Sequence, residues 1–152
     1  MELQLIWHKP VKLKESRADS DYIYEIDLDR IPDEPGVYIF IRKYGVNQNA
    51  LYIGKAKNLK SRLKQHLTNN VRLLRRIQNK ESGSRAVAFG VFKPKPGQQV
   101  EKCISLIEKA LIRHFISEGH NLLNISGVNI TKHTLSSDKV YRKLLPHKIL
   151  FE

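Results

Sequence analysis

The feature that most constrains the fold is a pair of strand-like segments separated by a short polar loop. Val37–Ile41, directly after Pro35-Gly36, is rich in β-branched and aromatic residues, and Ala50–Ile53 resumes this pattern. Between them, Tyr44–Asn49 holds Gly45 and two asparagines, a composition typical of turns. Two strands joined by so short a loop are predicted to form an antiparallel hairpin.

Helical periodicity begins just after the hairpin. Asn58 is a favourable N-cap residue, and leucines follow at the spacing of one helix face: Leu59, Leu63 and Leu67. A second helix is predicted from Asn70, with an apolar side and a basic side. The apolar side comprises Val71, Leu74 and Ile77, and the basic side comprises Arg72, Arg75, Arg76 and Lys80.

One more strand and one long helix complete the pattern. Arg85–Phe92 has strand composition, and Gln99–Glu118 is the longest helical segment. The order strand, strand, helix, helix, strand, helix predicts an α+β fold with a small three-stranded antiparallel sheet flanked by helices.

The length of 152 residues argues for a single domain. We expect its core at residues 35–124, with an N-terminal extension, residues 1–34, packing on that core. Residues 125–152 form a C-terminal extension, in which a short helix is expected to begin at Ser136 or Ser137.

Composition excludes several classes of protein. Hydrophobic residues make up 41% and charged residues 28%, which is typical of globular rather than disordered chains. The single cysteine, Cys103, allows neither an intramolecular disulfide nor a Cys-rich zinc cluster. No apolar run approaches the roughly 18 residues of a membrane span, and the first ten residues lack the charged-then-apolar order of a secretory signal. We therefore expect a soluble, cytoplasmic protein.

The net charge of +12 is unevenly distributed. Residues 1–34 carry a balance of −4, so the remainder carries +16. Ten basic residues and one acidic residue fall within Lys55–Arg85. Such clustering is expected of a protein that binds a phosphate backbone, although ribosomal, chromatin and anionic-membrane proteins share it.

One acidic residue lies in an otherwise apolar helical stripe. Ile104, Glu108, Leu111 and Phe115 follow a 4-3-4 spacing within the long helix. Because burying an unpaired carboxylate is costly, Glu108 is expected to have a cation as partner. That partner is either a metal ion or a lysine or arginine at the edge of the core; alternatively, the helix is rotated so that Glu108 is exposed.

Two further pairs of residues allow both structural and chemical roles. Arg62 and His66 lie one turn apart on the first helix. The guanidinium of arginine matches the geometry of a phosphate, and the imidazole of histidine exchanges protons near neutral pH. They are equally compatible with an exposed polar face. Tyr38 and Tyr52 lie in the two hairpin strands, where paired aromatics usually serve cross-strand packing.

Together these segments resemble the GIY-YIG nuclease family. The resemblance rests on PGVYIF at 35–40, ALYIGKAKNLKSRLKQHL at 50–67, Glu108 in a later helix, and NLLN at 121–124. The first tripeptide is GVY in place of GIY, and the second is YIG unchanged. The resemblance covers about 60% of the chain, and the ordered set of motifs is far more specific than any one of them.

The resemblance implies a catalytic role for six residues. They are Tyr38, Tyr52, Arg62, His66, Glu108 and Asn124, with Asn121 competing for the role of Asn124. By the same resemblance Glu108 is the metal ligand, Arg62 contacts the scissile phosphate, and Gly54 lets the backbone approach that phosphate. We expect further phosphate contacts from Lys55, Lys57, Arg72, Arg75, Arg76 and Lys80.

His66 bears on the branch of the family. A histidine four residues after the arginine resembles the restriction-enzyme-like branch, whereas excision-repair members usually lack it. The sequence therefore favours the restriction-enzyme-like branch.

The expected mechanism is hydrolysis dependent on Mg²⁺ or Mn²⁺ bound at Glu108. Tyr52 is the favoured base for the attacking water, with a neutral His66 accepting the proton of a motif tyrosine, while Tyr38 is an alternative that orients the water.

The expected substrate is duplex DNA, cut to leave 5′-phosphate and 3′-hydroxyl ends. Single-stranded DNA or RNA is the substrate if the protein is a toxin or defence effector, and a non-catalytic nucleic-acid-binding module is the remaining class. Restriction, repair and mobile-element roles all stay open, as do monomer and homodimer. No membrane partner is expected.

Overall fold

The structure is a computed structural model that describes residues 1–17, 22–125, 133–136, 140, 143–144 and 148–151. At its centre lie three antiparallel strands, β4 (Gly36–Tyr44), β5 (Asn47–Ala56) and β6 (Ser84–Lys93). Strand β4 pairs with β5 as the predicted hairpin and with β6 on its other side. These are the three strands expected from the sequence, and the α+β class is confirmed.

The N-terminal residues extend this sheet. Strands β1 (Gln4–Trp7) and β2 (Val11–Glu15) both pair with β6, and β2 also pairs with the short β3 (Tyr24–Glu25). The strand order is β3-β2-β6-β4-β5, with β1 beside the other end of β6. Among the described residues this sheet therefore has six strands instead of the three expected, because the N-terminal residues hydrogen-bond into it.

Helices cover both faces of the sheet. Helices α1 (Leu59–Asn69) and α2 (Val71–Gln78) pack on the face that carries Tyr38 and Phe40, and α3 (Val100–Ser117) packs on the face that carries Val37 and Ile39. Successive residues of β4 point to opposite faces, so each face is apolar. Val71 was expected on the apolar side of α2 but is 38% exposed, and Leu73 is buried in that helix instead.

Two side chains cover the edge of β5. The backbone N–H of Ala50 donates to His120 Nδ1 at 2.9 Å. Asn124 pairs with Ile53 twice: its Oδ1 accepts from the Ile53 N–H at 2.8 Å, and its Nδ2 donates to the Ile53 carbonyl at 2.6 Å. These contacts satisfy backbone groups that would otherwise be open at the sheet edge.

The C-terminal residues contribute one small element. Strand β7 (His133–Ser136) pairs with β8 (Lys148–Phe151). Ser136 thus ends a strand, and most residues of the helix expected there lie outside the described residues. Within the described part of the chain, no helix combines the length and the apolar character that a membrane crossing requires.

Arg85 belongs to the basic segment but lies buried at the end of α2. Its guanidinium donates to four backbone carbonyls, those of Ile77, Lys80, Glu81 and Gly83. The first of these carbonyls lies in the last turn of α2, where the helix leaves carbonyls without partners. Arg85 therefore holds the α2–β6 connection together and contributes no phosphate contact.

Arg85→Met is expected to lower the free energy of unfolding by about 3 kcal/mol, because it strips charge-assisted hydrogen bonds from several carbonyls at once. Denaturant unfolding of the purified chain measures this change. Arg75→Met, at an exposed position on α2, is the matched control and should cost no more than about 0.5 kcal/mol. Equal stability of the two variants would contradict the role of Arg85.

Candidate active site

The two motif tyrosines lie on one face of the hairpin. Tyr38 is opposite Gly54, and Tyr52 is opposite Phe40, in the register of β4 and β5. Cross-strand partners share a face, and the Tyr38 and Tyr52 ring centroids are 6.4 Å apart. Tyr38 is only 1% exposed, whereas Tyr52 is half-buried. The hairpin therefore brings together the tyrosines that the motifs singled out.

Gly54 makes room for the Tyr38 ring. A Cβ placed on Gly54 would lie 2.2 Å from both Cζ and Oη of Tyr38. No side chain larger than hydrogen fits there unless the tyrosine moves. The structure thus shows a packing role for this glycine within the site, and the close backbone approach to phosphate that the resemblance implies stays a prediction.

His66 is the hydrogen-bond partner of Tyr38. Its Nε2 lies 2.6 Å from Tyr38 Oη, and the imidazole is 3% exposed among the rings of Tyr38, Phe40 and Tyr52. On the other side of the imidazole, Asn70 Nδ2 lies 3.1 Å from His66 Nδ1. The contact with a motif tyrosine was expected for His66, but the contact with Asn70 was not, because its only signal in the sequence is a position four residues after His66.

Burial shifts the pKa values of these groups. Burial, reinforced by the nearby Arg62 guanidinium, lowers the pKa of His66 to about 4, so the imidazole is neutral at physiological pH as expected. Burial raises the pKa of Tyr38, and it raises the pKa of Tyr52 with a further contribution from the charge of Glu108. Both tyrosines are therefore phenols at neutral pH, and the expected role of Tyr52 as base gains nothing from the shift in its pKa.

Arg62 lies on the exposed side of α1, beside a cavity of about 320 Å³. The cavity is lined by the end of β5, the first turns of α1 and one face of α3, including Lys55, Lys57 and Ser61. Arg62 Nη1 donates to Gln65 Oε1 at 3.3 Å. The guanidinium opposes the upward shift of the pKa of both tyrosines, so the phenols and Arg62 share one electrostatic environment.

Glu108 reaches the same region from the opposite face of the sheet. Its Oε2 lies 3.3 Å from Lys55 Nζ, and Lys55 also donates to Ser105 Oγ at 2.7 Å. The Glu108 side chain is 21% exposed. Lys55 is thus a cationic partner of the kind that was expected for Glu108.

The side chains around Glu108 limit which metal ions could bind there. Nowhere in residues 1–17, 22–125 or the described C-terminal residues do three or more His, Cys, Asp or Glu side chains gather to hold a metal. That excludes a zinc-type cage from this part of the chain. Mg²⁺ differs, because it retains several waters and binds through one or two carboxylates together with substrate phosphates. A single, partly exposed carboxylate next to a basic cleft fits Mg²⁺ or Mn²⁺.

The other expected phosphate contacts lie on two surfaces. Lys57 is exposed beside the cavity, where its Nζ lies 3.2 Å from Glu101 Oε2. The remainder belong to α2 or follow it: Arg72 and Arg75 are exposed, whereas Arg76 and Lys80 are half-buried. The basic side of α2 therefore faces away from its buried residues Leu73, Leu74 and Ile77.

The Asn124 side chain binds the backbone of β5 next to a motif tyrosine. Both polar atoms of its side chain bond to the backbone of Ile53, between Tyr52 and Gly54. Its competitor Asn121 is exposed. In this structure Asn124 supports the strand that carries Tyr52.

Comparisons with known proteins match the part of the chain that holds the hairpin, α1, α2 and β6. Residues 34–93 match the model of a family described as the UvrC-like GIY-YIG domain. The chain is 43% identical over 47 residues to UvrABC system protein C of Clostridium acetobutylicum, and 60% identical over 40 residues to that of Deinococcus radiodurans. These segments cover 31% and 26% of this chain. No solved structure matches.

These matches cover a small part of the relatives, do not reach two of the expected site residues, and are all of one branch. They cover 7% and 6% of the length of the two relatives, so the chain spans only a small part of them. Glu108 and Asn124 lie outside residues 34–93. The preference for the restriction-enzyme-like branch is not confirmed, because both the family model and the relatives are of the UvrC type.

Proposed function

We propose that this protein is a divalent-metal-dependent endonuclease that hydrolyses phosphodiester bonds in DNA. The observation that carries the proposal is that Arg62 and Lys55 line one cavity, and that Lys55 Nζ lies 3.3 Å from the carboxylate of Glu108, which comes from the helix on the opposite face of the sheet. In agreement with this geometry, the charges of Arg62 and Glu108 both act on the pKa values of Tyr38 and Tyr52. A guanidinium, a carboxylate and two phenols beside a basic cavity are the groups that a phosphate-cleaving site requires.

Each residue has a distinct role in this proposal. Arg62 binds the scissile phosphate and neutralises charge that develops on its non-bridging oxygens. Lys55 binds a phosphate oxygen, and the phenols orient the phosphate and the attacking water. The chemistry supplied by Mg²⁺ or Mn²⁺ at Glu108 is stabilisation of charge on the phosphate and on the leaving oxygen.

The reaction adds water across one bond. The water oxygen bonds to phosphorus in line with the bond from phosphorus to the 3′ oxygen, which breaks. The attacking water gives up one proton and the leaving oxygen takes one up, so the products are a 5′-phosphate and a 3′-hydroxyl. The similarity to UvrC-type proteins favours a role in DNA repair over one in restriction.

One observation favours a second candidate, a non-catalytic DNA-binding module. The ion pair between Lys55 and Glu108 satisfies the carboxylate without any metal. In such a module the basic side of α2 would bind the DNA backbone, and the Lys55–Glu108 pair would stabilise the packing of α3 on the sheet. Nicking of supercoiled plasmid by the purified chain with Mg²⁺, absent with EDTA, separates the two candidates.

Arg62→Ala is expected to reduce the nicking rate by about 100-fold, because it removes charge stabilisation at the reacting phosphate. Arg75→Ala is the matched control, since Arg75 is an exposed arginine of α2 away from the cavity. It should weaken DNA binding and reduce the salt slope of the binding constant by about one unit while leaving turnover on saturating DNA unchanged.

Assays on duplex DNA, single-stranded DNA and RNA of one sequence establish the substrate. Faster cleavage of RNA than of duplex DNA would contradict the proposed substrate. Equal loss of turnover in the Arg62 and Arg75 variants would contradict the separate role of Arg62.

A further inference from the structure

Asn70 occupies a capping position without capping. It is the N-cap residue of α2, where an asparagine side chain normally accepts a hydrogen bond from the first turn, a contact that contributes about 1 kcal/mol. Across the described residues of α2, none donates to the Asn70 side chain as a cap. The side-chain nitrogen lies instead against His66 Nδ1 at 3.1 Å. Asn70 therefore lacks a stabilising cap contact with α2 and contacts His66 of the candidate site instead.

The backbone of Asn70 is hydrogen-bonded to both helices. Its N–H donates to the His66 carbonyl at 3.2 Å, and its carbonyl accepts from the Leu74 N–H at 3.2 Å. The residue therefore joins the last turn of α1 to the first turn of α2. Both helices pack on the sheet, so the Asn70 side chain is presented to the imidazole by well-packed elements.

The contact determines which nitrogen of His66 carries hydrogen. The amide nitrogen of asparagine can only donate, so His66 Nδ1 must accept, and a nitrogen that accepts carries no hydrogen. An imidazole in this state is neutral with its hydrogen on Nε2. In this state the Nε2–H of His66 would donate to Tyr38 Oη, which lies 2.6 Å away.

We propose that Asn70 is a positioning residue that holds His66 as the Nε2–H tautomer, so that the Tyr38 hydroxyl hydrogen is directed to the substrate rather than to His66. The inference rests on the proposed function for its effect on cleavage. It also replaces the expectation that His66 accepts the proton of a motif tyrosine.

The other tautomer would have the opposite effect. With hydrogen on Nδ1, the free Nε2 would accept the Tyr38 hydroxyl hydrogen, and the phenol could no longer donate to a phosphate oxygen or to the attacking water. Because His66 is buried, the exchange of tautomers is governed by its two hydrogen-bond partners. Asn70 and Tyr38 therefore both influence which nitrogen of His66 carries the hydrogen.

The direct test is the ring ¹⁵N spectrum of His66 in the full chain, labelled at histidine and free of DNA and metal. The wild type should show an unprotonated Nδ1 and a protonated Nε2. Asn70→Asp offers only acceptor oxygens, so it should move the hydrogen to Nδ1. Asn69→Asp is the matched control, because it adds the same charge at the preceding, exposed residue and should leave the tautomer unchanged.

A second variant guards against loss of folding and against a pure charge effect. Asn70→Leu removes the donor without adding charge, and His66 should then populate both tautomers. The new carboxylate of Asn70→Asp should also raise the pKa of His66, which faces Arg62 on α1, Tyr38 on β4 and Tyr52 on β5, with Glu108 of α3 acting on both tyrosines.

The effect on cleavage is measured separately from DNA binding. Asn70→Asp and Asn70→Leu should reduce kcat for nicking by about tenfold or more, as expected for partners of a catalytic group, with KM unchanged. Asn69→Asp should retain wild-type kcat. Asn70 variants that change KM alone would overturn the proposal.

The two proposals can fail independently. A wild-type His66 with hydrogen on Nδ1, or one whose tautomer is unchanged in both Asn70 variants, would overturn the role of Asn70 whatever the activity. Absence of nicking in the wild type would overturn the proposed function, while the spectrum would still decide the tautomer.

Discussion

Glu108→Gln is expected to lower the rate of metal-dependent nicking by about 1,000-fold, because it removes the one carboxylate proposed to hold the metal ion. That factor corresponds to about 4 kcal/mol of transition-state stabilisation. Glutamine keeps the size of the side chain, so its contact with Lys55 can be kept without the charge. The measurement is the rate of formation of nicked plasmid over a range of Mg²⁺ concentrations.

Binding of duplex DNA should respond differently. Measured with EDTA present, it is expected to be unchanged or tighter, because a negative charge leaves the edge of a basic cavity. Glu101→Gln is the matched control on the same helix: Glu101 pairs with Lys57 at 3.2 Å, and both side chains are largely exposed. Its nicking rate should stay within about twofold of the wild type, since exposed pairs contribute little.

If Glu108 were only a structural partner of Lys55, the expected activities of the variants would differ. If Glu108 only balances the lysine, then Lys55→Gln combined with Glu108→Gln should be as active as Lys55→Gln alone. If Glu108 holds the metal, the double variant should be as inactive as Glu108→Gln. Wild-type nicking by Glu108→Gln would overturn the assignment.

The elements that could be predicted from the sequence are those determined by near neighbours in the chain. The hairpin followed from two strand-like segments and a short polar loop. The start of α1 followed from Asn58, whose Oδ1 accepts from the Ser61 N–H at 2.9 Å. Both patterns operate within a few residues, where local preference and the final structure agree.

The parts that were not predicted depend on contacts between distant residues. Nothing local in residues 1–34 identifies Phe92 of β6 as the cross-strand partner of Leu5. Arg85 is an exception: its carbonyl partners lie two to eight residues away, but the turn that gathers them forms only when β6 pairs in the sheet, so Arg85 looked like one more basic residue. Likewise, His120 carries no signal that it would accept from the Ala50 N–H.

The candidate site divides in the same way. The approach of Tyr38 and Tyr52 follows from the hairpin, whereas the proximity of Glu108 came from the family resemblance, since α3 lies on the other face of the sheet. Asn70 was overlooked because an asparagine between two helices is usually a cap. Its side chain does not cap α2 and contacts the His66 imidazole instead.

Gly54→Ala is expected to lower the free energy of unfolding by about 3 kcal/mol, a cost that arises from one contact. Added bulk in a packed core usually costs about 1–3 kcal/mol, and moving the Tyr38 ring would also weaken its buried hydrogen bond to His66. Gly54 does not have a positive φ, so an alanine there adds no backbone strain. In a strand, alanine should even be slightly favoured over glycine.

A double-mutant cycle separates this contact from any general effect of the substitution. Tyr38→Ala should itself cost about 3–5 kcal/mol, as expected for truncating a buried aromatic residue. In that background Gly54→Ala should cost less than about 0.5 kcal/mol, because the atoms that the new methyl group would meet are gone. Denaturant unfolding of the four proteins gives the coupling energy. Full additivity of the two substitutions would contradict the contact, and with it the explanation of why glycine follows Tyr52-Ile53 in this strand.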